Sequence, residues 1–170
     1  MRRSFDRFYG ALMVGACLAL LLAFVAVMLG MLDRQLALGL RGLDAYAGYA
    51  VAAALFLAMP STLQRGEHIR VSLVLQRLGP SWRGLLEWWS LAAGVVLAAA
   101  LAGYACRMVW VSWATHDISQ GSDATPLWLP QLGMAVGCVG LAVALADAAW
   151  CRATGQVFET SSSGESTRVE

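Results

Sequence analysis

Few residues in this chain are equipped for chemistry. There are four cysteines, Cys17, Cys106, Cys138 and Cys151, and two histidines, His68 and His116. Zinc sites and thiol exchange draw cysteines into close pairs such as C-x-x-C, and no such pair is present. Three of the four lie inside apolar runs and the fourth at the end of one, which is where free cysteine acts as a small buried hydrophobe. The histidines fall in separate loops that the pattern below assigns to opposite faces, so a bis-histidine haem site is not expected, nor any other cofactor. The ionisable groups that enter the apolar runs are Glu87, Arg107 and Asp147, all toward run ends, while the run centres are Ala, Leu, Val and Gly. A protein that carries a polar solute itself shows ionisable or broken-helix elements near the bilayer midplane. With no phosphate-binding loop and no Ser-His-Asp order either, the chain is expected not to be an enzyme. What remains are recognition groups: the polar cluster Gly66, Glu67, His68 and Arg70, the lone Arg107, and the closely spaced Gly133 and Gly137.

The elements that position these groups follow from composition. Hydrophobic residues make up 59% of the chain and charged residues 14%, with a mean hydropathy of +0.62, whereas a soluble domain carries about 25% charge. Four runs, residues 8–32, 45–64, 85–114 and 127–149, are each about long enough to cross a hydrocarbon layer of roughly 30 Å. The expected fold is therefore an all-α membrane protein: a transmembrane domain of four helices over residues 8–153, a short arm at 1–7 and a disordered tail at 154–170. Arg2-Arg3 with Phe5 resembles a twin-arginine signal, and Val14-Gly15-Ala16-Cys17 resembles a lipoprotein cleavage box. The first run is too long for a cleaved signal, and most of it follows Cys17, so a retained helix is expected.

Local signals refine the spans. Pro60 near the polar end of the second run is expected to stop that helix. After it, Val71, Val74, Leu75 and Leu78 fall on one helical face, predicting a short amphipathic helix in the headgroup layer or against a partner, ended by Gly79-Pro80. The third run is longer than a bilayer core and should tilt or protrude. Arg107 in it either snorkels to phospholipid or meets a partner group. Residues 116–126, rich in Gly, Ser, Asp and Thr, read as a water-exposed turn, and Pro130 sits in a first helical turn where proline is tolerated.

All twelve basic residues are arginine, and their placement sets orientation. Arg2, Arg3, Arg7, Arg65, Arg70, Arg77, Arg83 and Arg152 fall on one side against Arg34 and Arg41 on the other, so both termini and the 64–78 segment are expected in the cytoplasm. The seven tryptophans sit near span ends, as an aromatic belt requires. The net charge of +1 gives no basis for nucleic-acid binding. Small residues one turn apart mark helix contact faces in lipid: Ala11, Gly15, Ala19 and Ala23; Ala50, Ala54 and Ala58; Gly133, Gly137, Gly140, Ala144 and Ala148.

Four spans, the element Gly66-Glu67-His68-Ile69-Arg70-Val71-Ser72-Leu73 after the second, and Thr125-Pro126-Leu127-Trp128-Leu129-Pro130 before the fourth resemble the small membrane subunit (the DctQ-like component) of tripartite ATP-independent periplasmic (TRAP) transporters. The likeness extends from about Arg7 to Ala149; Ser72 stands where that family commonly has an acid, and Leu43-Asp44 replaces its usual Trp-x-x-Glu. The resemblance implies a multi-pass subunit of a bacterial inner membrane that binds a large permease subunit. That permease takes a small organic anion, such as a carboxylate, from a periplasmic binding protein and uses a sodium gradient. The groups expected at the partner or lipid interface are Gly66, Glu67, His68, Arg70, Arg107, Gly133 and Gly137. The alternative reading is a free-standing four-helix exporter or sensor.

Overall fold

A computed structural model describes residues 2–64, 80–120 and 124–154. Its helices are α1 (Arg2–Leu36), α2 (Leu43–Gln64), α3 (Pro80–Ala114) and α4 (Trp128–Thr154), and no strand occurs among the described residues. All four are long and apolar enough to cross a membrane. Their bounds reflect local chemistry. Pro80 opens α3 at a first-turn position, where its missing N–H is no loss. Ala37 ends α1 in the left-handed region at φ +50°. At the end of α3, His116 takes φ +52° and the Asp117 N–H donates to the Ser112 carbonyl at 3.0 Å, the six-to-one bond of a Schellman turn.

The proline in α2 does not act as a stop. α2 continues through Pro60 to Gln64, because the donor that proline removes is lost against a neighbouring helix and not in open lipid. The short amphipathic helix expected over 71–78 lies outside the described residues.

The helices stand in a row, α1–α2–α4–α3. α1 packs along α2, α2 along α4, and α4 along α3; α1 touches α4 only slightly. The chain thus consists of two antiparallel hairpins joined through their second helices, which run parallel. One end of the row holds both helix termini Arg2 and Thr154, hereafter the terminal end; the other holds the connections 37–42 and 115–127, the loop end.

Each rim helix buries one narrow stripe. On α1 it is Tyr9, Leu12, Ala16, Ala19 and Ala23, and on α3 it is Ala98, Ala102, Ala105 and Ser112, spaced alternately by three and four apart from the skipped Val109. That spacing keeps one seam facing the neighbour. The residues are mostly alanine because, in lipid, close approach of backbones rather than hydrophobicity holds helices together. Ala102 and Ala105 of α3 pack with Ala135 and Cys138 of α4, covered by Phe56, Val109, Met134 and Ala142.

Candidate functional site

The centre of the row is a glycine seam. At Gly133 an added Cβ would stand 2.8 Å from the Ala53 Cβ; at Gly140 it would stand 2.9 Å from both Leu12 Cδ1 and Pro60 Cγ. At Gly137 it would overlap the carbonyl carbon and oxygen of Phe56 and lie 2.7 Å from the Phe56 Cβ. The Gly137 hydrogen in that position is directed at the Phe56 carbonyl. This is the carbonyl whose helical donor would be the N–H of residue 60, and residue 60 is proline. The proline frees an oxygen and the glycine covers it with a Cα–H contact of a kind that recurs between helices. Gly133 and Gly137, expected at a partner or lipid interface, pack here against α2 of their own chain.

Polar pins close the row at both ends. At the terminal end the buried Ser61 hydroxyl donates to the Tyr9 carbonyl at 2.8 Å, and Gln64 Nε2 donates to Asp6 Oδ1 at 2.6 Å, fastening α2 to α1. The Arg152 guanidinium lies 5.8 Å from the Trp88 ring and joins α4 to α3, while the Cys151 thiol donates to Asp147 Oδ1 at 3.8 Å within α4. At the loop end the Ser119 N–H donates to the Thr125 carbonyl (2.8 Å) and the Leu127 N–H to the Asp117 carbonyl (3.0 Å), so 117–119 and 125–127 form a clasp. Two tyrosines of α2 hold it. Tyr46 Oη and Thr125 Oγ1 are 2.9 Å apart, and Tyr49 Oη donates to Ser119 Oγ at 3.0 Å. The described residues of this connection are mostly exposed, as expected of a turn in water, and they are also tied to the centre of the row. The signal for it was two tyrosines one turn apart at a span end, where the aromatic belt offered a simpler explanation.

Arg107 lies on α3, exposed, and forms no hydrogen bond or ion pair with any other described residue. Gly66, Glu67, His68 and Arg70 lie outside the described residues. Among the described residues no cluster of His, Cys, Asp and Glu could hold a metal ion. Among the described residues the geometry offers a close-packed seam, two pinned ends and two open rims.

The model of the family described as "Tripartite ATP-independent periplasmic transporters, DctQ component" matches residues 23–155 of the 170. No curated protein and no solved structure matches the chain. The chain belongs to the DctQ family, a family of transporter components, and it is the small permease component of a TRAP transporter.

Proposed function

We propose that this DctQ chain works as a static scaffold: it binds the large permease subunit, which carries out sodium-driven uptake of a small organic anion delivered by a periplasmic binding protein. The observation that carries the reading is the row itself. Each helix packs mainly on its neighbours in the row, and among the described residues the mid-span positions hold no Asp, Glu, Lys, Arg or His. A polar solute needs such groups on its way through lipid. The glycine seam and the pinned ends make the row rigid, which suits a part against which another part moves.

In this reading the row sits in the bacterial inner membrane with both termini in the cytoplasm. The arginine excess beside the terminal end supports that orientation, with Arg2, Arg3, Arg7, Arg83 and Arg152 there in sequence against Arg34 and Arg41 at the loop end. The segment after α2, with its amphipathic helix and Gly66, Glu67, His68 and Arg70, meets the permease or phospholipid on the cytoplasmic side. Nucleic acid has no part in it.

Affinity purification from membranes that co-express the permease tests the proposal. The permease is expected to elute with the tagged chain, and vesicles holding the chain alone are expected to accumulate no solute. Uptake by the chain alone would make it the free-standing carrier and end the scaffold reading.

A further inference from the structure

The two rims of the row present different chemistry to the membrane. The face of α1 turned away from α2 carries Val14, Leu18, Leu21, Val25, Met28 and Leu32, all exposed, bulky and flexible or branched, as lipid chains require. The face of α3 turned away from α4 carries Val96, Ala100, Gly103, Arg107 and Trp110 at the same alternation of four and three. This second face is shallow along Ala100 and Gly103 and then meets a cation.

Gly103 has no reason within the chain. An added Cβ there would meet nothing within 4 Å, in contrast with Gly133, Gly137 and Gly140, each matched by a helix at contact distance; Gly10, Gly48 and Gly84 are as open, but they stand within six residues of the start of their spans, whereas Gly103 lies well inside its own. A mid-helix glycine weakens its helix. Where the chain itself gains nothing from the missing Cβ, a helix from another chain is the contact that does.

Arg107 supplies an independent observation. It lies seven residues before the end of α3 at Ala114, about 10 Å along the axis, and on the mid-span side of Trp110 and Trp113. The Cα–Cβ bonds of a helix tilt toward its N-terminus, so this side chain leaves the backbone toward the middle of the span and away from the nearer surface. To reach a lipid phosphate it must fold back past Trp110 on its own face. A carboxylate on a facing helix meets it where it stands, and an unpaired guanidinium at that depth strongly favours such a partner.

We propose that the outward face of α3, through Val96, Ala100, Gly103 and Arg107, is the surface on which a transmembrane helix of the large permease subunit packs, with a small residue opposite Gly103 and a carboxylate opposite Arg107. The α1 rim is left to lipid. This rests on the scaffold reading above and adds which rim is used.

A benzophenone amino acid placed at position 103, and separately at position 21, of the full chain co-expressed with the permease tests this after irradiation in native membranes. Position 103 is expected to give an adduct identified by mass as the permease, and position 21 is expected to give none. An adduct at 21 but not 103, a chain-to-chain adduct at 103, or lipid adducts alone at 103 would each overturn the assignment. Arg107→Glu is expected to lower the permease recovered with the chain by roughly 30-fold, with Arg107→Lys recovering most of it and both variants as monodisperse as the parent. Purification of the unsubstituted chain separates the two failures. If the permease elutes with it but position 103 gives no adduct, the face is wrong and the subunit reading stands; if no permease elutes, both fall.

Discussion

Gly137 and Gly103 are the same residue, each near the middle of a spanning helix, and they meet opposite surroundings. Beside Gly137 the α2 backbone is so close that a methyl group would overlap a carbonyl; beside Gly103 there is open space. The contrast teaches that a small residue in a spanning helix marks a close approach without saying whose. In the α4 seam the approach is completed by the chain's own proline-bearing helix. On the α3 rim no described residue completes it.

The hardest test of this contrast is bulk at the seam. Gly137→Leu is expected to force α2 and α4 apart, to remove about 3 kcal/mol or more of stability, and to abolish the monodisperse peak of the detergent-solubilised chain on size exclusion. A variant that melts like the parent would mean the seam is not closed. At the rim the sign reverses: Gly103→Ala is expected to raise the thermal stability of the isolated chain by about 0.5–1 kcal/mol through the gain in helix propensity, while Gly103→Leu lowers recovery of the permease. A comparable step down is expected for the loop clasp. Tyr49→Phe removes the bond to Ser119, about 0.6–1 kcal/mol, and is expected to speed amide exchange at Ser119 and Leu127 while leaving that of mid-α4 unchanged. The smallest effect belongs to Asp44→Asn. Its 3.2 Å pair with Arg34 is 73% and 85% exposed at the two side chains, so no change in melting is expected.

The four spanning helices were readable in the sequence because bilayer thickness imposes a length on apolar runs, and no tertiary detail competes with that constraint. The contact role of the Gly133 and Gly137 spacing was readable for the same reason, but its recipient was not: the spacing is identical for a neighbour in the chain and for one outside it. Pro60 was misread because the rule for proline in water is to end a helix, and in the seam the freed Phe56 carbonyl is covered by Gly137. Tyr46 and Tyr49 were passed over because span-end tyrosines have a sufficient reason in the interface. Arg107 stood out from the start, being the lone arginine inside a run.

The rim helices each have 35 residues, the central pair 22 and 27. Over the described residues α1 and α3 are each about 52 Å long, more than a hydrocarbon slab of about 30 Å. The polar ends of these helices must stand beyond the slab, or the helices must slant. A change in membrane thickness is therefore expected to act on the slant of these two outer helices, without any ligand at all.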